Sequence, residues 1–448
     1  MGKNFDKNLV GLKKETFDSY LKSTPPRLRV QPARLIPALK TGDEMALTSI
    51  FLSTIKLVKE YRDSIFKEIK LNRSGKVYYY TEACFPELNE PEHKKARIDG
   101  LIIVVVKGVI VDAAFFEMKN KNEVIKESQI DNYLKISKKL NVSKFVTISN
   151  EFVSDSTQSP IKAKVPKGIS LYHFSWTYLM TKGQLLLFKN DNNIADEDQV
   201  EIMAESLHYF ENPSSGISGY TQMKDGWKTL AKNIEAQKDL KKDDEFIKES
   251  VISWYQEEKD IALIMSRKLG VLVKPSTRTK DSIGKDIKKI IKENYINGLL
   301  SIKNAVSDIK IKIEFERRVV FMSNKIIPPL DKGIVARISW LERQIDYFKK
   351  KDEIAFQKVE KEVWIEAEIK YAKATIKVSL FELNSLVELT KGKEIQCFHI
   401  VVARSFGKNF EKPKNFITLI EKMVIEYYQG IVQYAKSWTR PAPKIVDE

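Results

Sequence analysis

The chain has 448 residues, 43% of them hydrophobic and 30% charged, with a formal net charge of +16. That length accommodates two or three domains with full cores, and the balance is that of a globular chain rather than a disordered one. No apolar run approaches the roughly 20 residues of a bilayer-spanning helix, and two cysteines, Cys84 and Cys397, are too few for a disulfide framework or a thiolate zinc site, so a reducing, cytoplasmic setting is expected.

The first residues carry no apolar signal stretch, and Asp6 stands where myristoylation needs Ser or Thr. Residues 1–227 hold 33 Lys/Arg against 28 Asp/Glu (+5), and the remainder 43 against 32 (+11). Excess positive charge attracts polyanions, but the charges are mixed along the chain, as on any Lys-rich solvated surface. Residues 1–40, with Pro25, Pro26, Pro32 and Pro37, read as an N-terminal arm. Thr41 or Asp43 can cap a helix that begins at Glu44. Leu47, Ile50, Phe51, Ile55, Val58, Ile65, Phe66 and Ile69 keep helical spacing and predict one broad buried face. Val77 to Phe85 reads as a strand, and Pro86 to Arg97 as a polar loop.

Ile98 to Val106 and Gly108 to Met118 are the next two strands, a hairpin turning at Lys107-Gly108. Apolar residues on both faces of the second (Ala113 and Phe115, Ala114 and Phe116) mark a central strand covered on two sides. Glu123 to Leu140 is predicted helical and Lys144 to Ser149 a strand. Ile169 to Tyr178 reads as a strand leading into a helix, Gln199 to Phe210 as a helix, and Asn212-Pro213-Ser214-Ser215-Gly216 as a turn. Asp225 to Gly270 is mostly helical, with a domain boundary near 227. Beyond it, Ser282 to Asn297 is helical and Ile309 to Met322 alternates as a strand. Gly333 to Phe348 is strand or helix, and Val363 to Leu383 holds two alternating strands. Ile395 to Val402 is a strand and Phe416 to Ala435 a long helix. The second half is therefore expected to be α+β, with a mainly antiparallel sheet.

The chemistry concentrates around Asp99 and the pair Glu117/Lys119. Residues two apart on a strand point the same way, so Glu117 and Lys119 face one site while Met118 turns into the core. Two carboxylates and a backbone carbonyl suit Mg²⁺, a hard cation that prefers oxygen. Bound Mg²⁺ acts as a Lewis acid and lowers the pKa of its water. Lys119 can orient the attacking water or neutralise charge on phosphorus, and a lysine beside a metal and apolar walls can have a lowered pKa.

Ile98-Asp99-Gly100, then Phe116-Glu117-Met118-Lys119, then Gln129-Ile130-Asp131-Asn132-Tyr133-Leu134 on the following helix, resemble the PD-(D/E)XK nuclease superfamily, with Ile98 in place of the frequent Pro. The resemblance covers about residues 40–150. It implies a restriction-endonuclease-like αβββαβ core with a mixed sheet. Residues 41–227 then form the nuclease-like domain and 228–448 a basic α+β accessory domain for substrate or partner recognition. By position it implies that Asp99, Glu117 and the Met118 carbonyl hold Mg²⁺, with Mn²⁺ as a substitute, that Lys119 serves the nucleophile, and that Gln129 is the helix glutamine of exonuclease-like members. Glu44 matches the acid of the first helix that reaches the metal through water, and Glu82 competes for that role. A fainter resemblance runs through Leu171 to Trp176 and His208 to Pro213, Ser215-Gly216, Met223 and Trp227, to an uncharacterised bacterial family with a nuclease-like N-terminal half. The implied activity is metal-dependent hydrolysis of DNA in anti-phage defence or DNA processing, with RNA left open as substrate. The implied alternative is a catalytically silent nucleic-acid-binding or assembly subunit of a defence complex. A protein partner through the C-terminal domain and self-association are both left open.

Glu-x-Lys recurs at Glu68/Lys70, Glu92/Lys94, Glu257/Lys259 and Glu368/Lys370. Of these, Glu368/Lys370 lies in a strand but lacks the Asp-Gly strand and the glutamine-bearing helix. His93, His173, His208 and His399 have no metal-ligand spacing, and His173, between Tyr172 and Phe174, reads as a core or hydrogen-bonding histidine. No G-x-S-x-G elbow or phosphate-binding G-x-x-x-x-G-K-S/T loop is present. Lys238 to Lys242 and the Lys285 to Lys292 helix could track a phosphate backbone or be solvated faces. Trp340, Trp364 and Trp438 read as core.

Overall fold

Two sheets organise the computed structural model, one within residues 1–220 and one within 221–448, each belonging to a separate compact unit. The structure describes residues 8–440, apart from 24–27, 33–34, 36–41, 87, 89–95, 122, 154–155, 189–193 and 280. The loop Glu-x-Lys pair and His93, the Thr41 cap and most of the prolines of the opening segment lie outside these residues. No helix among the described residues is long and apolar enough to cross a membrane.

The first unit holds a six-stranded sheet in sequential order: β1 (Arg29–Pro32), β2 (Lys76–Cys84), β3 (Arg97–Val106), β4 (Val109–Met118), β5 (Lys144–Ser149) and β6 (Ser170–Ser175). β1 through β4 pair antiparallel, while β4–β5 and β5–β6 pair parallel, so the sheet is mixed. The β3–β4 hairpin turns at Lys107-Gly108, both with positive φ, the backbone shape that fits the twist of a two-residue hairpin. β4 is central as its two apolar faces require: Ala114, Phe116 and Met118 join a core on one side of the sheet, and Ala113 and Phe115 a core on the other. The helices Glu44–Leu57, Lys59–Glu68, Trp176–Leu187 and Glu197–Glu211 feed the first core, and Lys14–Lys22 and Glu127–Lys139 the second.

The described residues of the opening segment pack onto the first unit rather than forming an arm. Leu9, Leu12, Phe17 and Leu28 are buried and β1 pairs with β2, so a short helix and a short edge strand add their apolar residues to the second core. The expected long helix from Glu44 is also interrupted. Val58 is extended (φ −103°, ψ 104°); its amide closes the first helix on Thr54 O (2.8 Å), and its carbonyl accepts Arg62 N at the start of the next. Every residue from Ala46 to Ile55 is buried, so this helix is covered all round rather than on one face.

In the second unit, seven strands form a wholly antiparallel sheet in the order β12-β11-β13-β10-β9-β8-β7. The strands are β7 (Val273–Pro275), β8 (Tyr295–Ile302), β9 (Ile309–Glu314), β10 (Val319–Ile326), β11 (Val363–Ile369), β12 (Ile376–Ser379) and β13 (Ile395–Ser405). Helix formation stops at Glu293, where Asn294 adopts the left-handed conformation, so Tyr295 to Asn297 belong to a strand rather than to the expected helix. Likewise 309–322 is a hairpin of two strands, not one. Gly333 to Phe348 resolves as the helix Ile334–Lys351. The final helix, Pro413–Tyr427, passes into a π turn over Tyr428–Val432. The boundary falls at Tyr220/Thr221 rather than near 227, because Trp227 is buried among Phe315, Phe410 and Phe416 and donates to Phe410 O (2.9 Å).

Candidate functional site

Asp99 lies near the start of β3 and Glu117 near the end of β4, and the antiparallel pairing sets Gly100 opposite Phe116. The two carboxylates thus share one end and one face of the sheet. Gly100 is required there: a Cβ would lie 3.0 Å from Phe116 Cβ and 3.1 Å from Leu52 Cδ1, so its absence lets the Glu44–Leu57 helix approach the strand. Asp99 Oδ2 accepts the Met118 amide (2.7 Å), which pins one acid to the strand carrying the other. Met118 itself points into the core.

Lys119 Nζ donates to Glu44 Oε2 (2.9 Å) and lies 3.0 Å from Glu117 Oε1. Glu44 occupies the first turn of its helix, whose N-terminus is capped by Asp43 accepting Met45 N (2.9 Å). Trp176 Nε1 donates to Lys119 O (2.8 Å), fixing the backbone that carries the amine. Four of the expected residues therefore meet: Glu44, Asp99, Glu117 and Lys119. A cleft of about 450 Å³ opens beside them, lined by Glu44, Glu82, Arg97, Asp99, Gln129 and Tyr133.

Gln129 is in the cleft wall, but its side chain donates to Tyr133 OH (3.1 Å), which in turn donates to Arg97 O (2.8 Å); it bonds to none of the carboxylates. Glu82 has φ +56°, and the β1–β2 register shifts across it, from Cys84 opposite Arg29 to Thr81 opposite Gln31. This bulge, in a conformation costly for a residue with a side chain, sets Glu82 in the cleft wall. There Arg97 Nε binds Glu82 Oε2 at 2.7 Å. Of the two rivals for the accessory role, Glu44 is tied to the cluster through Lys119 and Glu82 is held by arginine.

Burial raises the carboxyls of Asp99 and Glu117, Glu117 well above the usual range because the Asp99 charge adds to it. Burial also brings Glu44 up to about 7 despite Lys119. Burial works against the Lys119 ammonium, but the charges of Glu117 and Asp99 outweigh it and raise its pKa. The expected lowering of the lysine does not occur, because two acids, not apolar walls, are its near neighbours. Glu44 Oε1 and Glu117 Oε2 are buried with no hydrogen-bond partner among the described residues. Three carboxylates facing one ammonium, with acceptor oxygens left over, form an oxygen-rich donor set that matches a hard divalent cation and is costly without one.

The turn at 212–216 has a structural task. Asn120 Nδ2 donates to Gly42 O (2.9 Å) and Ser215 O (2.7 Å), and Asn150 Nδ2 to Gly216 O (2.8 Å) and Lys121 O (3.0 Å). Gly42 has φ +78°, and a Cβ on it would lie 1.9 Å from Ser214 O. These contacts brace the segment just before Glu44 against the segment just after Lys119. His173 is buried, with Nδ1 2.9 Å from Thr147 Oγ1 and Nε2 2.8 Å from Glu151 O, the hydrogen-bonding role its neighbours suggested.

In the second unit, Glu368, Cys397 and His399 bring one ligand atom each to within 4.8 Å of one another. Sequence spacing hid this group, since its acid comes from a neighbouring strand. Cys-x-His in an alternating strand is the signal that places two of the three on one face. Glu368, the strand rival among the Glu-x-Lys pairs, thus points toward sulfur and imidazole, while Lys370 pairs with Glu394 (3.0 Å). Trp340 is buried, but Trp364 is 45% exposed on the same sheet, so it is not core. Comparison with family models, with curated proteins and with solved structures finds no match.

Proposed function

We propose that residues 1–220 form a metal-dependent nuclease whose site is the cluster of Asp99, Glu117, Lys119 and Glu44. The observation that carries this reading is the convergence of three acids and one amine beside an open cleft, with buried carboxylate oxygens that lack donors. Element order supports it: helix, three antiparallel strands, helix, and a strand parallel to the last of the three, the restriction-endonuclease-like arrangement that the Asp99, Glu117/Lys119 and Gln129 motifs imply. Asp99, Glu117 and Glu44 would hold Mg²⁺ or Mn²⁺. When bound, the ion supplies positive charge to the phosphate and acidifies its water.

The chain's own residues set the rest. Lys119, kept cationic by two acids, acts as a charge and hydrogen-bond donor that orients the nucleophile, not as a base. Tyr133 anchors Gln129 at the cleft wall, where that amide can hydrogen-bond a nucleotide. DNA is the preferred substrate, in defence or DNA processing. Incubation of the full chain with plasmid and single-stranded DNA, with Mg²⁺, Mn²⁺ or EDTA, tests the reading. Cleavage with the metals that falls by about 100-fold or more in Glu117→Ala and Lys119→Ala supports it. Retarded mobility without cleavage, unchanged in those variants, would replace it with a silent nucleic-acid binder, and no affinity at low salt with an assembly role.

A further inference from the structure

Cys397 and His399 are two apart on β13, and Glu368 sits directly opposite Cys397 on β11. Cys397 Sγ lies 3.0 Å from Glu368 Oε2, His399 Nε2 lies 3.2 Å from the same oxygen, and Sγ and Nε2 are 3.7 Å apart. Zinc bonds of about 2.3 Å to sulfur and about 2.0–2.1 Å to nitrogen and oxygen, at tetrahedral angles, separate the donors by about 3.3–3.6 Å. The observed triangle is three corners of that tetrahedron to within about half an ångström.

We propose that Glu368, Cys397 and His399 bind Zn²⁺ on the second sheet. The donor set argues for this ion: one thiolate, one imidazole and one carboxylate are its usual protein ligands, whereas Mg²⁺ selects oxygen alone. Thiolate and carboxylate together balance two positive charges. Without a metal, the Cys S–H and His N–H converge on one carboxylate oxygen that Lys325 Nζ also approaches (3.7 Å). Lys325 is 42% exposed, and its flexible stem can withdraw into solvent when a cation takes its place. The Glu368 and His399 side chains keep 37% and 15% of their surface, so the fourth position faces the open side and takes water or an exchangeable ligand. This site is independent of the oxygen-only cluster in the first unit.

Equilibrium dialysis of the full chain against Zn²⁺, with metal measured by atomic absorption, gives the stoichiometry, and Co²⁺ in place of Zn²⁺ gives a spectroscopic signature of sulfur ligation. The expected result is a thiolate-to-cobalt charge-transfer band that survives in Cys84→Ser and Glu117→Gln and disappears in Cys397→Ser. Zn²⁺ affinity falls at least tenfold in His399→Gln and rises in Lys325→Gln, where the competing cation is gone. Circular dichroism of each variant confirms folding, and His399→Gln, at a partly exposed position, carries the test if Cys397→Ser does not fold. Absence of the band in the parent chain, or a band that persists in Cys397→Ser and vanishes in Cys84→Ser, overturns the site.

Discussion

Glu44 couples the stability of the first unit to pH. Its carboxyl rises from 4.5 to about 7, by burial first, with Asp99 and Glu123 adding to the rise and Lys119 opposing it. A folded pKa above the unfolded one means that the folded chain holds the proton more tightly. Between about 4.5 and 7, stability therefore falls as pH rises. Asp99 and Glu117 are raised as well and act in the same direction. Lys119, raised from 10.5, is charged in both states across this window and adds no slope. In EDTA, Glu44→Gln should match the parent's melting temperature near pH 5 and exceed it near pH 8, by about 2–4 °C for each kcal/mol. Millimolar Mg²⁺ should raise the parent's melting temperature at pH 8 more than the variant's. Differential scanning fluorimetry of both proteins from pH 5 to 8 checks this, and a difference that does not grow with pH contradicts it. That Glu117 and Lys119 share a face was readable from strand alternation, because period two fixes which side chains point together; the parts given to Asp99 and Glu44 came from the family resemblance. The ionisation of these groups was not readable, since the burial and the Glu44–Lys119 contact depend on a helix 75 residues away in sequence.

At the scale of elements, the position of Glu44 depends on a brace rather than on its own helix. Gly42 carries φ +78° with Ser214 O where a Cβ would be, and its carbonyl is held by Asn120. Gly42→Ala must shift this turn at a cost of about 1–3 kcal/mol in backbone strain alone. On the nuclease reading, cleavage should fall with it although no proposed ligand is changed, because Glu44 moves away from Lys119. Asn120→Ala leaves the Gly42 and Ser215 carbonyls without that donor and should cost about 1–3 kcal/mol. Urea unfolding and the plasmid assay measure both effects, and a variant that unfolds normally and cleaves normally would remove the brace from the account. Strands β3 to β5 and their hairpin were legible from apolar runs bounded by Lys-Gly and by charged residues. The break at Val58 and the strand at Tyr295 were not, because helical spacing continued through both. Tertiary packing decided the first and a left-handed Asn294 the second.

On the scale of the whole chain, the excess charge is uneven, and the sheet of the second unit shows where it is organised. The helix Ser282–Glu293, for which both a phosphate-tracking and a solvated face were open, buries Asp286, Ile287 and Ile290 and exposes Lys288 and Lys292, as a solvated face does. The β8–β9–β10 face differs. Asn297, Lys312 and Phe321 lie side by side by register, as do Leu299, Lys310 and Ser323. Lys312 Nζ sits 4.5 Å from the centre of the Tyr295 ring and 5.8 Å from that of Phe321. Beside them is a cleft of about 490 Å³ lined by Lys310, Lys312, Phe321 and Arg278, the last already paired with Glu258 and Asp286. Cations interleaved with aromatic rings are what a single strand of nucleic acid binds: rings stack with bases while amines neutralise phosphates. On the nuclease reading, this face would contribute the accessory affinity proposed for the second unit. Replacing both Lys310 and Lys312 with Gln should weaken binding of a single-stranded oligonucleotide to the full chain. It should also reduce the slope of log affinity against log salt by about 1.4, at about 0.7 for each phosphate that is no longer neutralised. Lys288→Gln with Lys292→Gln, on the solvated helix, should leave that slope nearly unchanged. Fluorescence anisotropy titrations at several salt concentrations separate the two surfaces. A Lys310/Lys312 double variant with the parent's slope would mean that the sheet face binds no phosphate.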